Sequence, residues 1–341
     1  MKVAAIAALL FAAPVARAQS PVPAGPPATG IVVGSEIFFS PIVRDLDRAI
    51  AFYRDGLGFD VPGQPTDATM NAPLRDTFGL PDARIRWLTG GATGISGGIQ
   101  IVEISGAKAS SLKRSLQDPG AVTLVLTVRD LDAIAVRLHE QGVRVLTSGK
   151  VPALVSVEGT QVRMLTVEDP DGHFVQLIQP PEIAATAVPP RANIIEARVR
   201  LTVQSVDRAV QLYNEGLGLA LISGPELGSD SALAAALGAP GARFRTASLQ
   251  VPQSGLIFEL MEFAGKHRLA PAQIQDPGST RLQLRVRDVD EAVAATAKFG
   301  GQVISTGGKS VEMPAGNGRI NVAIDREPDN LFIEMLGQAA R

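Results

Sequence analysis

Short stretches with period-two hydrophobicity alternate along the chain with longer, helically spaced ones. "EIFFSPIV" from Glu36, "IRWLTG" from Ile85, "GIQIVEIS" from Gly98, "TLVLTV" from Thr123, "VRMLTVEDP" from Val162 and "FVQLIQP" from Phe174 predict strands with one buried face. "DLDRAIAFYRDGLGF" from Asp45 has the other spacing and places Ile50, Phe52 and Tyr53 among its inward positions. "LDAIAVRLHEQGVRVL" from Leu131 follows the same rule, with Asp130 or Asp132 as its cap. These helices are expected to stop at Gly56 and Gly142, where a left-handed cap meets no side-chain clash. The unit is strand, helix, then three strands.

The unit recurs. "SVDRAVQLYNEGLGL" from Ser205 repeats the first helix, "LGAPGARFRT" echoes "FGLPDARIRW", and "IQDPGSTRLQLRVRDVD" echoes "LQDPGAVTLVLTVRDLD". "REPDNLFIEML" from Arg326 matches "EDPDGHFVQLI" from Glu168, so all four correspondences keep their order at a spacing of about 160 residues. That is duplication of a domain made of two modules, four modules in all. "QPPEIAATAVPPRAN", Gln179 to Asn193, joins the copies, because its prolines remove donors and bar a continuing helix or central strand. The expected division is residues 31–180 and 194–341, with 181–193 as linker.

The pieces "VRDLDRAIAFYRDGLGF" and "EDPDGHFVQLIQP" resemble the vicinal oxygen chelate (VOC) superfamily, the glyoxalase, bleomycin-resistance and dioxygenase group. The resemblance implies an α+β fold of two tandem domains, each a cupped eight-stranded sheet made of paired βαβββ modules. In metal-using members the concave face holds a divalent ion on four side chains, one from the first and one from the last strand of each module. The first-strand position stands seven residues before the Asp of "VxD". Carried over by register, the positions in the first copy are Phe38, Thr123, Gln100 and Gln176. Those in the second are Arg198, Arg281, Glu259 and Glu334.

A ring, a hydroxyl and two amides make a poor cage for a divalent ion, and guanidinium offers no free lone pair. The expectation is therefore no metal and no other cofactor, with a divalent metal as the minor alternative. The second quartet predicts two arginine–carboxylate pairs that either stitch the sheet or receive an anionic or carbonyl-bearing ligand. Short helices in "NAPLRDTFG" and "SALAAALG" should roof the cups, with Met70, Leu74, Phe78 and Trp87 as candidate lining. The three histidines do not form a ligand set: His139 is expected on a solvated helix face, His267 on a loop, and His173 shaping a turn at the cleft edge.

Composition narrows the classes further. "MKVAAIAALLFAAPVARAQS" reads as a secretory signal over residues 1–18, followed by a Pro/Gly-rich tether over 19–30, so a periplasmic or extracellular address is expected. Losing Lys2 and Arg17 with the leader moves the net charge from −2 to −4, which offers nothing to nucleic acid or to an anionic membrane. With no cysteine, thiol catalysis and thiolate metal sites are excluded.

The preferred function is a metal-free protein binding a small molecule in one or both cups. The alternative is a VOC-type enzyme, a lyase, isomerase or dioxygenase, with Glu259 or Glu334 as base beside Arg198 or Arg281. Gln100, Gln176, Thr123 and Phe38 are the further ligand-binding candidates, and oligomerisation is left open.

Overall fold

The structure is a computed structural model that describes residues 30–339, apart from positions 111, 158, 184, 185, 187, 229, 316 and 317. The expected leader, and all of the tether except Gly30, lie outside the described residues.

The α+β fold of paired modules is present, as two strongly curved mixed sheets of ten and nine strands. Each of the four modules opens with a strand that runs into a capped helix. Asp45, Asp130, Ser205 and Asp288 accept from the backbone N–H three residues on, which settles Asp130 rather than Asp132 as the second cap. Asp132 is spent instead on a bidentate pair with Arg163. The first helix runs as α over Leu46–Ile50 and widens to π over Ala51–Leu57, and the same widening recurs over Gln211–Gly216.

That widening corrects the expected stop at Gly56. The left-handed cap is Gly58, at φ 93°, while Gly56 lies inside the last turn. Gly56 has a packing reason instead: a Cβ there would come within 2.9 Å of Leu138 Cδ2 on the second module's helix. Gly142, at φ 67°, is left-handed just past the second helix, Leu131–Glu140.

The sheets do not follow the linear division at the linker. The opening strand of the first module, Ile37–Val43, pairs antiparallel with that of the fourth, Thr280–Val286, placing Arg281 opposite Ser40. The opening strands of the second and third modules, Val122–Val128 and Ile194–Thr202, pair likewise, with Thr123 opposite Arg200. Closing strands run parallel outside each central pair: Gly98–Ser105 and Phe332–Gln338 in one sheet, Phe174–Gln179 and Ile257–Phe263 in the other. One cup is therefore modules one and four, and the other is modules two and three. The expected grouping of each copy into its own cup is corrected accordingly. Helices of consecutive modules pack together on the convex side, and this leaves the opening-strand edges of each copy to be met by the other copy.

One continuous apolar cluster, including Phe39, Phe52, Leu126, Leu201, Phe258 and Leu284, runs through the convex faces of both sheets and their helices. Two smaller clusters fill the concave faces. The chain thus has its main core between the cups, and the cups themselves are only as empty as their second clusters allow.

Candidate functional site

In the cup of modules two and three, period-two alternation points Arg198 and Arg200 to the same concave face as Glu259 of the adjacent strand. Arg198 Nη1 donates to Glu259 Oε1 at 2.6 Å. Arg200 places Nε 2.9 Å and Nη2 2.8 Å from Glu259 Oε2, and its Nη1 donates to Gln176 Oε1 at 3.0 Å. Burial pulls the Arg200 guanidinium pKa down against the attraction of Glu259. All these side chains are buried, as is Thr123, whose hydroxyl finds no hydrogen-bond partner among the described residues.

This cup is closed by the short helix Ser231–Ala236, whose Leu233 and Ala236 join Val125, Met164 and Phe174 in one apolar cluster. Thr147 and Thr166 both donate to the Ala236 carbonyl, at 2.8 Å each, which ties the roof down.

The cup of modules one and four repeats the theme with less closure. Arg281 Nη1 lies 3.0 Å from Glu334 Oε2, and its Nη2 donates to Ser40 Oγ at 3.2 Å and to Gln100 Oε1. Gln283 donates to the same Glu334 oxygen at 2.6 Å. The Arg281 guanidinium carbon stands 5.1 Å from the centre of the Phe78 ring, a cation–π contact in a site where burial lowers the arginine's pKa. Arg281 Nε has no hydrogen-bond partner among the described residues. Gln100, Gln283 and Trp87 are only half-buried, unlike Gln176, Thr123 and Arg200 of the other cup. Its roof helix, Ala72–Thr77, is held through Ser305 Oγ donating to the Thr77 carbonyl at 2.7 Å.

Two arginine–carboxylate pairs form from the second quartet, Arg198 with Glu259 and Arg281 with Glu334, but in separate cups rather than across one cleft. The quartets regroup, however, because the cups do. Gln176 and Thr123 join Arg198 and Glu259, while Gln100 joins Arg281 and Glu334. Phe38 is buried against Gly97 and takes no polar part. Three participants were missed: Arg200, Ser40 and Gln283. Each stands two residues beyond a candidate that had been picked out, and the period of the strand is the signal that reaches them.

The donor set in neither cup fits a divalent ion. In each, the two closing-strand positions are bridged by one guanidinium: Arg200 between Gln176 and Glu259, and Arg281 between Gln100 and Glu334. A fixed cation already satisfies the acceptors and would repel a second one.

Other candidates fall elsewhere. Met70 is 91% exposed and lines nothing, whereas Leu74, Phe78 and Trp87 all belong to the first cup's cluster. His173 is not at a cleft edge. It lies buried on the helix side, edge-on to Phe39, with Nδ1 2.9 Å from Asp169 Oδ2 and Nε2 3.0 Å from the Ser279 carbonyl of the fourth module. Both ring nitrogens face acceptors, so the imidazolium form is the one that fits. Burial opposes that charge, but Asp169 outweighs it and raises the His173 pKa. Tyr53 Oη donates to the same Asp169 oxygen at 3.0 Å.

Residues 39–177 match the model of the Glyoxalase/Bleomycin resistance protein/Dioxygenase superfamily. No curated protein matches the chain. Among solved structures, glyoxalase I from Zea mays is similar at 17% identity and a TM-score of 0.56, over 89% of this chain and 92% of that one. A putative dioxygenase from Bacillus subtilis is similar at 16% identity and a TM-score of 0.52, over 91% of this chain and 86% of that one. At these identities the likeness concerns the fold, and it spans both cups.

Proposed function

We propose that this chain, which through residues 39–177 belongs to the Glyoxalase/Bleomycin resistance protein/Dioxygenase superfamily, is an exported, metal-independent binding protein. Its ligand is a small anionic or carbonyl-bearing organic molecule, held in the cup of modules one and four.

The observation that carries this reading is the guanidinium bridging both closing-strand positions in each cup. It supplies a permanent positive charge where metal-using relatives place an ion, and it needs no metal to do so. The two cups then divide their labour. The second is sealed, and its triad stitches the sheet. The first keeps half-buried Gln100, Gln283 and Trp87 and an unspent Arg281 Nε, which suits a carboxylate or carbonyl oxygen stacked beside an aromatic ring. The enzymatic alternative is less well supported at Glu259, because both of its oxygens are taken by arginines. The leader-like first eighteen residues support export.

Trp87 is the sole tryptophan, so its fluorescence reports on this cup. Titration with phenylglyoxylate and benzoate should give a saturable change that benzylamine does not give. Gln283→Ala and Arg281→Lys should each weaken binding about tenfold, equivalent to about 1.4 kcal/mol. A chain that binds none of these carboxylates, or whose variants bind them equally well, would contradict the reading.

A further inference from the structure

The turn that closes each copy is built twice with different chemistry. In the first, Asp169 gathers Tyr53 Oη, His173 Nδ1 and the backbone N–H groups of Asp171 and His173. At the matching positions of the second copy stand Glu327 for Asp169, Leu331 for His173 and Tyr213 for Tyr53. The acidic groups remain, but the internal cation is gone.

What is left behind is a pair of buried acids with no histidine beside them. Glu327 and Asp329 are buried at 2% and 6% exposure. Glu327 Oε1 accepts the Leu331 N–H at 2.7 Å, and Asp329 Oδ1 accepts the Gln204 N–H at 2.9 Å, both from the backbone. The Tyr213 hydroxyl is fully buried and has no hydrogen-bond partner among the described residues, although it lies within electrostatic reach of Glu327, Asp329 and Asp325. Burial, and then the neighbouring Asp329, pushes the Glu327 carboxyl well above its usual range. Next to these groups a cavity of about 370 Å³ opens between the helices, lined by Arg208, Leu212, Lys298, Phe299, Glu327 and Asp329. A second hollow of about 280 Å³ shares Glu327.

We propose that this cavity is a second binding site, distinct from the cups, for a small amino-acid-like zwitterion with an apolar side chain. Its ammonium takes the part that the His173 imidazolium plays in the first copy, against Glu327 and Asp329, the two acids in the cavity wall. Its carboxylate meets the exposed Arg208 and Lys298 at the rim, and its side chain lies on Leu212 and Phe299. An ammonium offers only donors, which matches the two acceptor carboxyl groups. Its charge also relieves the like-charge crowding of the acids.

Calorimetric titration of the full chain with L-phenylalanine, 2-phenylethylamine and 3-phenylpropionate separates these contributions. Both amines should bind and the propionate should not. Arg208→Ala should weaken L-phenylalanine relative to 2-phenylethylamine, because only the former loses a carboxylate contact. Glu327→Gln, which keeps the acceptor for the Leu331 N–H, should weaken both amines at least about tenfold. Leu331→His, which restores the first copy's cation, should abolish binding. Failure of both amines to bind would overturn the proposal, as would unchanged amine affinity in folded Glu327→Gln protein.

Discussion

Nε and Nη2 of Arg200 both lie against Oε2 of Glu259, at 2.9 and 2.8 Å, while Arg198 holds the other oxygen at 2.6 Å. One carboxylate thus serves two buried guanidinium groups contributed by the same strand. The two single truncations are unequal for that reason. Arg200→Ala leaves Glu259 its second partner, whereas Glu259→Ala takes the carboxylate from Arg200 and leaves Arg198 with only Glu196, 3.7 Å away. Glu259→Ala should cost about 3–5 kcal/mol and Arg200→Ala clearly less, as measured by urea unfolding. The reverse order would mean that the cup admits water.

Because each cup takes one module pair from across the linker, neither half is self-sufficient. A fragment of residues 30–183 carries the opening strands of modules one and two without their observed partners in modules four and three. Such exposed edges seek new partners. Light scattering should show each half-chain as a dimer or aggregate when alone, and a one-to-one complex when the halves are co-expressed. A folded monomeric half would argue for cups closed within each copy.

Two glycines test the same pairing at single-residue resolution. A Cβ on Gly79 would sit 2.1 Å from the Ile304 carbonyl oxygen of the fourth module, and one on Gly238 2.8 Å from the Leu146 carbonyl oxygen of the second. Gly241 also has positive φ, at 78°, but has nothing within 4 Å. Gly241→Ala should cost about 1–2 kcal/mol for its backbone alone, and Gly79→Ala should cost more, because the backbone it strikes cannot turn aside. Equal melting temperatures for the two variants would count against a first–fourth module contact at Gly79.

The His173–Asp169 pair predicts a signed pH dependence. His173 titrates above the ordinary imidazole value of about 6.5, so its contribution is whole below that pH and is lost as pH rises through the raised value. Asp169 is lowered: burial pushes it up, but His173 prevails. Its contribution is therefore whole above about 3.9 and is lost as pH falls through the depressed value. Between about pH 4 and 6.5 both contributions are whole. Relative to the parent chain, His173→Leu should lose most in that window and progressively less toward alkaline pH. A pH-independent difference in urea midpoint would sink this assignment.

Much of this was legible in the residues. Period-two stretches marked the strands, and register picked out Arg198, Arg281, Glu259 and Glu334 as two arginine–carboxylate pairs, without saying which arginine meets which glutamate. Which module partners which was not legible, because the duplicated copies present equivalent strand edges, and a repeated pattern says nothing about which edge meets which. The dominant role of Arg200 over Arg198 depends on the cross-strand register that sets Arg200 opposite Thr123. Gly58 displaced Gly56 as the cap because the helix widens before it ends. "DGLG" offers both glycines, and hydrophobic spacing does not mark a π turn.

The central claim is that arginine stands where relatives would keep a metal. Elemental analysis of the purified full chain, after incubation with equimolar iron, nickel, zinc and manganese and then desalting, tests it most directly. The account predicts metal far below one ion per chain, unchanged in Glu334→Ala. One tightly held ion per cup, lost in Glu334→Ala or Glu259→Ala, would contradict it.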